Sequence, residues 1–215
     1  MSRLLSLLCL CLIALALPGT ARAQPQLPAL YAVTGVAAND RLNIRAAPSA
    51  RAEILGSFDP DAERVEVIRL DPATGWGQVN LEGRQGWVSM RYLRAMPQRS
   101  MFLSSDLACF GTEPFWLMAR ASDAHYVLET PDSGRWPVLT MLEDDAPGDR
   151  IYALSARSEE LTVTGVMRRE LCSDGMSDSL YGFSVGLVLN GRHEGEERYR
   201  LMTGCCTLTI TDPND

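Results

Sequence analysis

Two cysteines stand side by side near the C-terminal end of the chain, Cys205-Cys206, and they restrict what can fold around them. On an extended strand, neighbouring side chains leave on opposite faces. The two thiols therefore disfavour bonding to each other, and each looks for a partner on its own side. Two further cysteines lie beyond the first 23 residues, Cys109 and Cys172. Four cysteines allow three pairings; with Cys205–Cys206 set aside, Cys109 and Cys172 each join one member of the pair, in either order. Such bridges tie the start of the second half, and the turn Cys172-Ser173-Asp174-Gly175-Met176-Ser177-Asp178, to the last strand. Each is worth about 2–4 kcal/mol in a small domain.

Bridges of this kind belong to an oxidising compartment, and the N-terminus agrees. Arg3 precedes an apolar run from Leu4 to Ala16 that only Ser6 interrupts; Pro18-Gly19 breaks it, and Ala21-Arg22-Ala23 offers a small-x-small cleavage pattern. That run falls short of the roughly 20 residues a membrane helix needs. Residues 1–23 are expected to be a signal peptide, and the mature protein to be periplasmic or secreted without a membrane span.

Charge separates the remainder into unequal halves. Residues 24–98 carry 8 arginines and 8 acids, whereas residues 99–215 carry 10 arginines and 19 acids. An acidic surface disfavours nucleic acid, which is bound through basic patches.

From Leu30 to about Ala95 short alternating strands are broken by turn residues. Leu42 and Ile44 face one way, Asn43 and Arg45 the other; Val65 and Val67 flank Glu66; Trp76 to Leu81 leads through Glu82-Gly83-Arg84-Gln85-Gly86 into Trp87-Val88. Leu42, Ile44, Val79 and Val88 are the expected core, with Gly75 and Gly86 as tight-turn positions. The segment Leu42-Asn43-Ile44-Arg45-Ala46-Ala47-Pro48, followed by Ile54-Leu55-Gly56, Gly75-Trp76-Gly77-Gln78-Val79, Gly86-Trp87-Val88 and Tyr92-Leu93, resembles the bacterial SH3 (SH3b) domain. That resemblance covers residues 30–95. It implies a small barrel that recognises peptidoglycan stem peptides or an envelope protein, with Asn43, Arg45, Trp76 and Tyr92 as the implied ligand contacts.

Residues 96–105 read as a linker, and residues 106–210 as a second domain. Strands are expected over Glu113 to Ala121, Ala124 to Thr130, Arg150 to Arg157, Glu160 to Leu171, Leu180 to Asn190 and Arg198 to Ile210, with a hairpin turn at Asn190-Gly191. The whole chain is therefore all-β: an SH3-like barrel, then an antiparallel barrel or half-barrel stapled by disulfides. Cys109-Phe110-Gly111-Thr112-Glu113-Pro114-Phe115-Trp116, the Cys172 to Asp178 turn and Gly204-Cys205-Cys206 together resemble an exported bacterial family of unknown function.

No Gly-x-Ser-x-Gly, His-Glu-x-x-His or phosphate-binding loop is present, so no catalytic residue and no cofactor are assigned. Glu113, Trp116, Asp174, Met176 and Asp178 form the candidate ligand patch of the second domain, because polar groups gather there beside an aromatic. Asp174 and Asp178 also suit capping of their own turn. The expected function is envelope binding. The alternative is an envelope enzyme or metal-dependent factor: a cell-wall hydrolase accessory, or a copper or zinc protein using Cys205, Cys206, Met176, His125 and the nearby acids.

Overall fold

Alternating burial organises the first half as the sequence implies. In a computed structural model that describes residues 26–97, 107–122, 125–131, 134–145, 151–159, 161–193 and 196–209, eight short strands form two sheets. They are β1 (Ala29–Val33), β2 (Leu42–Arg45), β3 (Ile54–Phe58), β4 (Val65–Val67), β5 (Arg69–Asp71), β6 (Trp76–Leu81), β7 (Arg84–Ser89) and β8 (Leu93–Ala95). One sheet runs β4-β1-β8 and the other β3-β2-β7-β6-β5. Leu42, Ile44, Val79 and Val88 are all buried between them, with Tyr31, Val65 and Val67.

The β6–β7 hairpin closes through a two-residue turn, Glu82-Gly83, with φ values of 48° and 77°. Gly75, also at positive φ, turns the chain as expected. Gly86 does something else. It lies within β7, where an added Cβ would come within 2.3 Å of Ile44 Cγ2, so it makes room for the core rather than a bend.

The second half is a closed barrel of eight antiparallel strands. These are β9 (Ala108–Thr112), β10 (Phe115–Ser122), β11 (His125–Thr130), β12 (Gly134–Asp145), β13 (Ile151–Arg157), β14 (Leu161–Cys172), β15 (Tyr181–His193) and β16 (Glu196–Thr207). Each pairs with the next, and β16 returns to β9. Eight strands enclose a space that side chains can just fill. Leu128, Leu154, Val163, Met167, Phe183, Leu187 and Met202 fill it here, all nearly inaccessible.

Three expectations are corrected. Sequence reading assigned no strand to β9 or β12. Pro137 and the acidic end of β12 disguise the latter, and the proline falls where pairing slips between Tyr126↔Leu139 and Leu128↔Trp136, a bulge being one of the few places a strand accepts proline. Asn190-Gly191 is not a turn: Asn190 pairs with Tyr199 and Gly191 with Arg198, and the ladder runs on to His193↔Glu196. The polar residues beyond Asn190 extend the hairpin past the core, because ladder hydrogen bonds do not require apolar side chains.

The two halves meet through three sets of contacts. Leu30 of β1 is buried in the barrel's core cluster, against which Met96 also packs, and an added Cβ on Gly182 would strike Pro28 at 2.5 Å. Arg169 clamps this corner. Its Nη1 donates to the carbonyls of Gln26 and Pro28, each at 3.1 Å; its Nη2 donates to Tyr152 Oη at 2.6 Å; and its guanidinium lies 5.2 Å from the Phe183 ring centre. The loop after Cys172 meets the β6–β7 hairpin. Asp178 N donates to Gly83 O at 3.0 Å, Gln85 Nε2 donates to Asp178 O at 2.8 Å, and Asn80 Nδ2 donates to Leu180 O at 2.8 Å.

The third set centres on Glu66 of β4, which reaches the end of β16. Leu208 N donates to Oε1 at 3.1 Å, and Thr207 Oγ1 bonds Oε2. The residue as a whole is half-buried, and its carboxyl is enclosed. Burial raises its pKa from 4.5 to about 7, against the lowering effect of the hydrogen bonds from Thr207, Leu208 and Thr209. Thr207 Oγ1 also contacts Thr209 O at 3.1 Å. One hydroxyl proton serves one of these acceptors at a time. A carboxyl whose pKa is raised by folding favours the folded state at low pH. Its contribution is complete below about pH 4.5 and is lost as pH rises through about 7. Glu66→Gln is therefore expected to match the wild type in melting temperature at pH 4.5 and to exceed it at pH 8. Equal differences at both pH values would refute the assignment.

Candidate functional site

Two surfaces gather the chemistry-bearing residues, one on each half. On the first, register places Arg45 opposite Trp87, Trp87 opposite Gln78, and Gln78 opposite Arg69, a row across four strands of the larger sheet. All four side chains leave the face opposite the core, since Ile44, Gly86, Val88 and Val79 alternate with them, but Gln78 is itself fully buried on that face. The Arg69 guanidinium sits 5.4 Å from the Trp87 ring centre and its Nε donates to Gln78 Oε1. Arg45 Nη1 donates to Ala52 O at 2.6 Å, which holds the β2–β3 loop. Trp76, paired with Asp71 and Ser89, and Asn43 belong to the same face by alternation.

Of the four residues expected here, the structure thus brings Asn43, Arg45 and Trp76 together. Tyr92 stands apart, in a 3-10 turn (Met90–Tyr92) packed against the core, with the Arg91 guanidinium 5.7 Å from its ring. Trp87 and Arg69 were missed as surface groups. The period-2 alternation from Val88 and Leu70 was the signal that could have placed them.

The second surface is built by the cysteine and glycine motifs. Cys109 bonds Cys206 and Cys172 bonds Cys205, which settles the order the sequence left open. Cys109 and Cys206 are cross-strand neighbours, their Cα atoms 4.0 Å apart; the other bridge pins the loop that follows β14. Trp116 of β10 packs with the barrel core, 4% exposed, its Nε1 donating to Thr203 O at 3.2 Å. Two glycines make this possible. A Cβ on Gly111 would fall 2.1 Å from Trp116 Nε1, and one on Gly204 would fall 1.9 Å from Phe110 O.

Beside the indole opens a groove of about 720 Å³, lined by Phe110, Phe115, Trp116, Leu117, Pro131 and Met176, with Glu129 and Asp174 among its polar members. Phe115, Leu117 and Met176 are 57%, 39% and 68% exposed. A second, more polar cleft of about 440 Å³ shares Phe110, Gly111, Thr112 and Asp174 with it, and adds Glu113 and Arg168.

Asp174 has a structural task as well. Its Oδ1 accepts from Met176 N at 3.0 Å and Ser177 N at 2.9 Å, and its Oδ2 accepts from Ser177 Oγ at 2.7 Å. Thr112 Oγ1 donates to its carbonyl at 3.0 Å, which ties the loop to β9. Partial burial alone would raise its pKa, but the hydrogen bonds from Ser177 and Met176 outweigh it and hold the carboxyl below the ordinary range. The residue stays anionic at the groove's edge.

Four of the five residues expected in this patch thus lie along the joined clefts: Glu113, Trp116, Asp174 and Met176. Asp178 does not, because its backbone is taken up by Gly83 and Gln85 at the boundary between the halves. Both bridges consume the thiols on which a copper or zinc site would draw. Among the described residues no three His, Cys, Asp or Glu side chains are grouped to hold a metal. The side chains of His125 and His193 lie outside the described residues, as do residues 1–25, which include the expected signal peptide, and most of the expected linker.

An SH3-like barrel docked on a disulfide-bridged eight-stranded barrel is thus the class of molecule these surfaces define. Residues 40–94 match the family model of the bacterial SH3 domain, within the segment whose motifs resemble it. No curated protein matches the chain. No helix among the described residues is long and apolar enough to cross a membrane.

Proposed function

We propose that this protein is an exported, non-enzymatic binding protein of the cell envelope. Its SH3-like half recruits it to peptidoglycan or to an envelope protein, and its barrel supplies a second binding surface. The observation that carries the reading is the pair of guanidinium groups, Arg45 and Arg69, on the same sheet face as the partly exposed Trp87 in a domain that matches the bacterial SH3 family. Guanidinium groups beside partly exposed indoles suit ligands that combine carboxylates with apolar stems, as short wall peptides do. The bacterial SH3 family, often associated with cell-wall binding, supports the same reading. The enzyme or metal alternative gains nothing from a chain whose four mature thiols are bridged.

Co-sedimentation with purified peptidoglycan tests the recruitment step on the full chain lacking residues 1–23. Retention is expected, and Arg69→Glu, at an exposed position, is expected to reduce the bound fraction at least tenfold at low salt. Absence of retention for the intact protein would remove the wall as ligand and leave an envelope protein in its place.

A further inference from the structure

We infer that the joined clefts over Trp116 dock an extended peptide segment that presents a large apolar side chain beside a lysine or arginine. This deepens the second-surface reading above and rests on it. The apolar part of the groove holds three exposed hydrophobic side chains, Phe115, Leu117 and Met176, around the buried indole of Trp116. Exposed apolar residues scattered singly are ordinary, but contiguous ones lining a concavity mark an interaction surface. A flexible thioether at the rim adapts to more than one shape of anchor.

Charge selects the rest of the ligand. Along both clefts the ionisable residues are Glu113, Glu129 and Asp174 against one base, Arg168, and the half of the chain that bears them carries 19 acids and 10 arginines. A cationic side chain next to the apolar anchor would lie toward Asp174, which belongs to both clefts, and Glu113. An anionic ligand would be repelled. The form of the site also favours a peptide over a compact small molecule. Small-molecule pockets enclose most of their ligand, whereas this one is an open trough that continues from an apolar into a polar section. The barrel is closed, so the peptide cannot add as a further strand. Recognition falls to side-chain anchors in the trough.

The structure also explains why such a trough would hold its shape. Gly111 lines both clefts, with Trp116 in the apolar one and Gly204 in the polar one, and one wall is the loop that Cys172–Cys205 and the Thr112–Asp174 bond hold down. A preformed surface loses less freedom on binding than one that must order itself.

Panning a random dodecapeptide phage library on the oxidised protein lacking residues 1–23 tests this. Enriched sequences are expected to place Phe, Trp or Leu within three residues of Lys or Arg. A synthetic enriched peptide, measured by calorimetry, is expected to lose at least tenfold in affinity to the double variant Phe115→Ser, Met176→Ser. Both positions are exposed, so an unchanged melting temperature serves as the folding control. Glu113→Arg is expected to weaken binding several-fold at low salt. No enrichment, enrichment of acidic sequences, or an affinity indifferent to these substitutions would overturn the proposal. Wall retention by the Arg69 surface should survive the groove variants, so failure of this proposal and failure of the recruitment reading can be told apart.

Discussion

Replacing Cys109 and Cys206 together with alanine is expected to lower the stability of the barrel by about 4–5 kcal/mol. The bridge spans 97 residues, and chain-entropy arguments assign a loop of roughly 100 residues about 4.7 kcal/mol. The Cys172–Cys205 bridge spans 33 residues, for which the same relation gives about 3.7 kcal/mol. Urea unfolding of the two oxidised double variants should therefore rank Cys109→Ala, Cys206→Ala as the weaker protein by about 1 kcal/mol. The opposite ranking would mean that the native contacts held by the loop after Cys172 outweigh the entropy of the unfolded chain. That bridge is expected to matter more for binding than for stability, because it fixes the wall of the groove and the contact with Gly83 and Gln85.

Gly204→Ala is expected to cost about 3 kcal/mol, the upper end for inserting a methyl group into a packed site. The added Cβ would meet Phe110 O at 1.9 Å, Phe110 C at 2.7 Å and Trp116 Cζ2 at 2.9 Å. Two of these atoms are backbone, so relief requires β9 to move away from β16, where Cys205 faces Phe110 and Cys206 faces Cys109. Neither a rotamer change nor a flexible side chain can absorb the strain. Gly186→Ala on the adjacent strand is the control. Nothing lies within 4 Å of its added Cβ, and exchanging a mid-strand glycine for alanine there should be neutral or stabilise by about 0.5–1 kcal/mol. Denaturation midpoints of the two variants check the pair. A Gly204→Ala protein as stable as the wild type would show that the strands over Trp116 are not closely packed.

How much of this was legible beforehand depended on the range of the interaction. Leu42, Ile44, Val79 and Val88 announced the first barrel because a half-buried strand writes its period into its own residues. The opposite-face argument for Cys205 and Cys206 correctly excluded a bond between them, yet could not choose between the two remaining orders. That choice depends on strand register, with Cys206 opposite Cys109. Trp116 and Asp174 were recognisable as a cluster of unusual composition. What made it a groove was not recognisable, since Gly111 and Gly204 act through contacts with residues on other strands. Glu66 carried no signal at all: its partners lie 141 to 143 positions away, and an acid between two valines reads as any exposed strand residue. Asn190-Gly191 misled in the other direction, because the turn dipeptide was overruled by a ladder that continues past it.

The placement of the cysteines also bears on how the protein is made. A chain emerges N-terminus first and its domains fold in that order, so the first barrel can be complete while the second is still incomplete. Cys109 and Cys172 both appear before either correct partner, and for that interval, leaving aside Cys9 and Cys11 of the N-terminal apolar run, each can pair only with the other. Neither native bond can close until residues 205 and 206 have arrived, after nearly the whole barrel has been delivered. An oxidant acting too early would trap a Cys109–Cys172 bond that must later be reshuffled. Biogenesis of this molecule therefore depends on late oxidation, or on an isomerase that undoes the early error.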